Sequence, residues 1–334
     1  MKKILLIALT ALFLSSASAQ NILVVNDNDN ITYNTDTVLI ALNNTMYSGY
    51  DYWSIPDSGG VYPSSVVLDA YDLVIWYTST DGLGLALWDG STSGNAELVA
   101  HILTGSPVWI IGQDALYQMY GTGGTSFIAG EFAYDFMGLS SYDVQSYADD
   151  GSLGVPQVDR VGSASTIFPD SLIWIFSTLW YVDGCTGNSG TQSIYEMGPS
   201  GYPLSGSASM LHSVFPGNNV MSTFFDPALI DSRANRVNFM ESGITYLLGT
   251  SNVSEVNSIS ELNFYPNPAK SFMNIQVEQN ASVNIYNANG QPVINVNLAS
   301  GWNQVNIETL PTGIYFIKVQ NNFINQSSRL IIEK

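Results

Sequence analysis

Apolar positions along this chain follow two rhythms, and the change between them divides it. In the first part, apolar runs alternate with stretches of helical period. Residues 22–25 are a short apolar strand. Val38, Leu39, Leu42 and Met46 then recur at the spacing of one helix face, which predicts a helix over 35–47. Residues 50–55 predict a second strand and 64–71 a short helix. Leu73-Val74-Ile75-Trp76-Tyr77 is a strand apolar on both faces. A helix at 96–103 and the strand Val108-Trp109-Ile110-Ile111 repeat the unit. Doubly apolar strands divided by amphipathic helices are the pattern of a parallel sheet covered on both sides. The expectation for residues 20–250 is therefore an α/β, doubly wound, mostly parallel sheet. It is completed by apolar runs at 172–176 and 220–225 and a closing helix at 233–248. The stretches 121–165 and 183–210, rich in Gly, Ser, Tyr and Asp, read as long loops or insertions over the sheet.

From residue 262 the period falls to two. Alternating runs at 273–277, 282–286, 293–298, 304–307, 314–319 and 329–332 are separated by turn residues, notably Asn289-Gly290 and Pro311-Thr312-Gly313. They predict a small all-β antiparallel sandwich over 262–334. The polar, Ser/Asn-rich stretch 251–261 suits a linker. Charge changes at the same place. Residues 21–250 hold 23 acidic side chains against Arg160, Arg233 and Arg236, with no lysine, whereas 251–334 hold five acidic and four basic ones. The whole chain of 334 residues carries a net charge of −19. That balance argues against nucleic acid as a partner, because no basic patch exists to neutralise phosphates. One cysteine excludes an intrachain disulfide.

The start of the chain reads as an address. Lys2 and Lys3 precede an apolar run over 4–14, and Ala17-Ser18-Ala19 supplies the small residues that signal peptidase reads, with cleavage between Ala19 and Gln20. Residues 1–19 are thus expected to be a signal peptide. No transmembrane segment is expected in the mature chain, since the apolar runs are too short to span a bilayer.

Two resemblances follow from longer strings. Tyr265-Pro266-Asn267-Pro268-Ala269, VNIYNANGQPV at 283–293, LPTGIYFIKV at 310–319 and RLIIEK at 329–334 together resemble the type A C-terminal sorting domain of type IX secretion cargo in Bacteroidetes. The resemblance implies passage through the periplasm, recognition by the type IX translocon, and removal of the tail by a surface sortase. The product would be released outside the cell or attached to lipopolysaccharide at the outer-membrane surface. The first part resembles the glutamine-amidotransferase-like (flavodoxin-like) domain of secreted bacterial surface proteins, through ILVVNDNDN at 22–30, YDYWSI at 50–55, LDAYDLVIWYTST at 68–80 and GSPVWIIGQDALY at 105–117. NNVMSTFF at 218–225 and ITYLLG at 244–249 fit the end of that domain. In that family a nucleophilic cysteine sits on a sharp strand-to-helix elbow. The corresponding residues here are Gly112-Gln113-Asp114-Ala115-Leu116, so the attacking thiolate is missing.

Other chemistry has few carriers. Cys185 and His212 are candidates for a nucleophile and its base, with Cys185 expected in a loop. Asp114 is the third catalytic candidate. His101 falls on the periodic stretch 96–103, where packing is the expected role. Asp27, Asp29 and Asn30 follow the first strand, and with Asp81 they are candidates for a calcium site at the carboxyl edge of the sheet, because alternating carboxylate and amide oxygens suit a hard cation. The sequence lacks the loop glycine and twelfth-position glutamate of an EF-hand; Val38 holds that last place. Tyr117, Tyr120, Tyr134, Tyr142 and Tyr147 offer a surface on which a glycan or protein ligand could stack. The expected function is a secreted or cell-surface protein with a non-catalytic, amidotransferase-like binding domain. The alternative is a secreted hydrolase, a peptidase or glycosidase, whose acidic pair cannot be chosen from spacing.

Overall fold

A computed structural model of the protein describes residues 20–28, 32–79, 86–88, 94–214, 218–251, 262–277, 279–287, 290–320 and 325–334. The expected signal peptide with Ala19, and most of the expected linker, lie outside them.

The first part is built on one mixed sheet. Its elements are β1 (Ile22–Asn26), α1 (Thr32–Leu42), β2 (Asp51–Ser54), α2 (Ser65–Leu68), β3 (Leu73–Ser79), α3 (Ala96–Ile102), β4 (Val108–Gly112) and α4 (Ala115–Tyr120). Then come β5 (Thr125–Ser126), α5 (Phe132–Asp135), β6 (Leu139–Gln145), β7 (Gln157–Arg160), β8 (Ser171–Ile173), β9 (Asp183–Gly187), β10 (Thr191–Gly198), β11 (Ala208–Ser213), β12 (Val220–Thr223) and α6 (Arg233–Ser251). The strand order is β2-β1-β3-β4-β12-β11-β10-β7-β8, with β9 on β11, β6 on β9 and β5 on β6. Neighbours from β2 to β12 run parallel, in register Val24↔Tyr52, Val24↔Ile75, Ile75↔Trp109 and Met221↔Trp109. From β12 onward every pairing is antiparallel.

Alternation along the parallel strands feeds two cores. Val24, Ile75 and Trp109 face α1 and α6, packing on Val38, Leu42, Phe239 and Ile244. Val25, Trp76 and Ile110 face the other helices, packing on Leu98, Ile102, Leu116 and Phe132. With both faces dry, these strands need apolar residues at every position.

Three expectations are corrected. The sheet is mixed rather than mostly parallel, since its second half is antiparallel. The stretches 121–165 and 183–210 are not loops over the sheet; they hold β5 to β7 and β9 to β11. Those strands are written in Ser, Thr, Gly, Gln and Asp, and hydropathy does not register them. The first helix spans Thr32–Leu42 rather than 35–47. The Asn44 side chain donates to the Ile40 carbonyl (2.7 Å) and Thr45 Oγ1 to the Leu42 carbonyl (2.7 Å). These side chains cap the terminal carbonyls and end the helix, leaving Met46 exposed.

The C-terminal part is all-β, as expected. It comprises β13 (Phe264–Tyr265), β14 (Phe272–Val277), β15 (Ala281–Asn287), β16 (Pro292–Leu298), β17 (Gly301–Asn306), β18 (Gly313–Gln320) and β19 (Asn325–Ile332). A three-stranded sheet β13-β14-β17 and a four-stranded sheet β16-β15-β18-β19 share one core that includes Met273, Ile275, Val283, Ile285, Ile317 and Leu330. No described helix is long and apolar enough to cross a membrane.

Candidate functional site

The bend from β4 into α4 is the sharpest feature at the carboxyl edge of the parallel strands. Gly112 closes β4 where a Cβ would lie 2.1 Å from Thr78 Oγ1, so only glycine fits there. Two residues on, Asp114 takes φ +61°, ψ +8°, a left-handed conformation uncommon for a side-chain-bearing residue. α4 starts directly after it. The elbow expected at 112–116 is therefore present as backbone, with a carboxylate at its apex.

Asp114 lines an open cleft of about 500 Å³ together with Tyr117, Gln145, Tyr147, Ala148, Ser152 and Tyr181. Gln145 Nε2 donates to Asp114 Oδ1 (2.7 Å) and to Asp183 Oδ1 (2.9 Å), so two carboxylates share one amide donor. Asp183 opens β9 and is fully buried. Its Oδ2 accepts from the Leu116 backbone N–H (3.1 Å), which ties β9 to the first turn of α4. Burial, with Asp114 nearby, pushes the Asp183 carboxyl up to about 7 against the hydrogen bonds from Gln145 and Leu116. Burial and Asp183 likewise push up the phenol of Tyr142.

Tyr147 and Tyr181 line the cleft, and Trp180 packs on Tyr147 beside it. Tyr147 and Trp180 have ring centroids 4.3 Å apart, and Tyr181 lies 5.6 Å from Tyr147. Trp180 and Tyr181 keep 48% and 40% of their surface exposed. The backbone beneath is strained. Among the described residues five non-glycine positions have positive φ: Ser79, Asp114, Tyr147, Ser152 and Tyr181. Four of those five line this cleft. Each costs on the order of 1–3 kcal/mol, and such outliers persist where surrounding structure enforces them. Here the enforcing contacts include Gln145 N–H to Asp149 Oδ2 (2.7 Å) and Gly154 N–H to Asp150 Oδ2 (2.9 Å).

The other sequence candidates separate. Cys185 is not in a loop but on β9, buried opposite Ala208, and burial, Asp183 and Asp143 push its thiol well up. It packs in the α3–α4–α5 core, whereas His212 sits on β11 against Tyr246 of α6, on the opposite face. Nε2 of His212 pairs with Asn219 Oδ1 (2.7 Å) and Nδ1 with the Tyr246 hydroxyl (3.0 Å); burial holds the ring below its usual pKa. The pair is not a nucleophile and base. His101 is buried on α3 and meets Asp69 Oδ1 at 2.7 Å.

Asp27 accepts N–H groups from Ala86 (2.9 Å), Leu87 (2.8 Å) and the Trp76 indole (2.9 Å). Three donors converging on one carboxylate make it a tie between chain segments. Asp29, Asn30 and Asp81 lie outside the described residues. Among the described residues no group of three His, Cys, Asp or Glu is placed to hold a metal. Of the five tyrosines expected on a binding surface, Tyr117 and Tyr147 reach the cleft. Tyr142 is buried in the core, Tyr120 stacks on Phe127 at 4.7 Å, and Tyr134 packs on the same core. Sequence reasoning missed Gln145, Ser152, Trp180, Tyr181 and Asp183. The run Leu179-Trp180-Tyr181 carried the one available signal, exposed aromatics at the end of an apolar stretch.

Comparison with known proteins agrees with the C-terminal reading. Residues 263–333 match the family model of the secretion system C-terminal sorting domain. No curated protein matches the chain significantly. Among solved structures, it resembles a ThuA-like protein from Bacteroides uniformis at 10% identity and TM-score 0.47, over 70% of this chain and 93% of that one. It resembles a ThuA-like protein from Parabacteroides merdae at 10% identity and TM-score 0.42, over 69% and 90%. The chain thus carries a type IX secretion sorting domain at 263–333, which directs its export to the cell surface or the extracellular space.

Proposed function

We propose that this is a Bacteroidetes surface or secreted protein whose amidotransferase-like first domain, over 20–250, binds a neutral or cationic glycan in the Asp114 cleft without acting on amides. The observation that carries the reading is the convergence of four strained, non-glycine backbone positions on one open cleft. Strain of that kind is retained where it aims side chains at a ligand. The chemistry suits a sugar. Exposed rings of Trp180 and Tyr181 offer apolar faces for pyranose C–H groups, and the Asp114 carboxylate, oriented by the Gln145 amide, offers hydrogen bonds to adjacent hydroxyls. The acidic surround opposes anionic saccharides. Amide chemistry lacks its attacking atom, since the elbow apex is Asp114 and the thiol of Cys185 is sealed in the core.

Titration calorimetry against a panel of bacterial and host oligosaccharides tests this. Trp180→Ala is expected to weaken binding at least about tenfold while the fold is retained, with a stability cost confined to the lost contact with Tyr147. If no saccharide binds at millimolar concentration, the reading fails.

A hydrolase is the second reading, favoured by one observation. Burial pushes the Asp183 carboxyl up to about 7 with Asp114 nearby, and a raised carboxyl beside a second one is an arrangement acid–base hydrolysis uses. Against it, Asp183 is buried behind Gln145 and α4 and presents no surface to a substrate. Turnover of aryl glycosides that is lost in Asp114→Asn would establish it.

A further inference from the structure

The four-stranded sheet of the sorting domain has two faces, one on the sandwich core and one covered over part of β15 and β18. Val283 and Ile285 on β15, with Tyr315, Ile317 and Val319 on β18, point into the sandwich core. Alternate residues must then point outward. In a free sandwich those positions would meet water, yet Asn284, Tyr286 and Lys318 are 3%, 1% and 1% exposed. They form one patch, because Tyr286 pairs with Phe316 and Asn284 with Lys318 across the strands.

What covers the patch is the first domain. The Tyr286 hydroxyl donates to Asp135 Oδ2 at 2.9 Å, and its ring lies 6.5 Å from that of Phe136. Lys318 Nζ donates to the Asp135 carbonyl at 3.2 Å and sits 5.3 Å over the Phe136 ring. Phe316 packs against the core that contains Val99 and Phe132. Gly290, at the tight turn after β15, comes so close to α3 that a Cβ would lie 2.8 Å from Val99 Cγ1. On the other side, Asp135 is itself buried, and its second oxygen accepts from the Gly130 N–H at 3.0 Å as well as from Tyr286. Charge agrees: the first domain has no lysine, and the tail inserts one beside a buried aspartate.

We propose that the sorting domain is clamped to its own cargo through this socket, so that cutting the chain between them leaves the two parts bound. The occupant of the Asp135–Phe136 surface is the outward face of β15 and β18. Release of the tail then takes two events, scission of the connecting segment and undocking of a built face that combines ring packing with buried hydrogen bonds.

Lysine acylation of the intact mature chain followed by mass spectrometry reads the clamp directly. That chain has three lysines, of which Lys270 and Lys334 are exposed. Lys318 is expected to react at least tenfold more slowly than either. A protease site placed within 252–261 then allows the connection to be cut. The two fragments are expected to co-elute from a sizing column at micromolar concentration, with Lys318 still protected. Tyr286→Ala in the tail and Asp135→Ala in the cargo should each bring Lys318 to the rate of Lys270 and let the cut fragments separate. Unchanged circular dichroism of each variant separates undocking from loss of folding. Equal reactivity of Lys318 and Lys270 in the intact chain, or separation of the fragments immediately on cutting, would overturn the proposal.

Discussion

Two buried aspartates at the same edge of the sheet differ in what surrounds them. Asp226 follows β12 and is closed in: its oxygens accept from the Tyr77 hydroxyl (2.9 Å), the Asn34 amide (2.9 Å), Ser79 Oγ (3.2 Å) and the Ala228 N–H (2.8 Å). Burial raises its carboxyl against those four bonds. Asp183 is as deeply buried and also raised, but its partner Gln145 passes on to Asp114 at an open cleft. A perturbed carboxyl alone therefore does not mark a site. What separates the two regions is the cleft and the strained backbone that lines it. Asp226 joins α1, β3 and β12 into one body, whereas Asp183 shares the buried Gln145 amide with Asp114, whose carboxylate lines the cleft.

The contrast breaks most easily at Asp226. Asp226→Ala leaves the Tyr77, Asn34 and Ser79 donors buried without their acceptor, and is expected to cost about 3–5 kcal/mol in urea unfolding. A loss under about 1 kcal/mol would mean that Asp226 is not the structural member of the pair. Asp183 responds through pH. Its folded value of about 7 lies above the ordinary aspartate value of 3.8, so between those values the folded state binds the proton that the unfolded state has lost. Its contribution to stability is full below pH 4, falls as pH rises by up to about 1.4 kcal/mol per unit, and levels off above pH 7. Asp183→Asn removes the titrating group, so the difference between the wild-type and variant stability curves should slope downward with pH over that window and be flat outside it. A constant difference across pH 4–7 would show Asp183 ionised throughout.

The parallel half of the sheet was legible because Val24, Ile75, Trp76 and Ile110 lie among runs that must be apolar on both faces, and few other structures want such runs. The antiparallel half was not, because β9 is Asp-Gly-Cys-Thr-Gly and β6 contains Ser-Ser-Tyr-Asp. Strands held by hydrogen-bonded Ser, Thr and Gln read as loops to any hydropathy argument. The elbow at 112–116 was placed only through a family resemblance, since no periodic run announced α4. Its neighbours Gln145, Ser152 and Trp180 were not legible, since they arrive from distant segments and a positive φ at Tyr or Ser has no signature in sequence. Cys185 and His212 misled for a related reason. Spacing along the chain does not report which face of a sheet a side chain occupies, and these two occupy opposite ones.

The smallest effect sharpens the comparison furthest. Ser79 and Ser152 share nearly the same left-handed backbone, φ +62° and +66°, one beside Asp226 and one in the cleft. Glycine at either place removes about 1–2 kcal/mol of steric cost and returns about 0.4–1 kcal/mol through the entropy of the unfolded chain. At Ser152 the balance is favourable, and Ser152→Gly should raise stability by about 0.5 kcal/mol. At Ser79 the same change also deletes the hydroxyl that donates to Asp226 at 3.2 Å, worth about 1.5 kcal/mol or more to a buried charged acceptor. Ser79→Gly should therefore destabilise by about 1 kcal/mol. Opposite signs from paired thermal melts would mean that backbone strain near Asp226 is supported by the interior it serves, while strain at Ser152 is retained for something outside the fold. In that case Ser152→Gly, although more stable, should bind the cleft's ligand more weakly; matching signs for the two variants would remove strain as the feature that distinguishes the cleft.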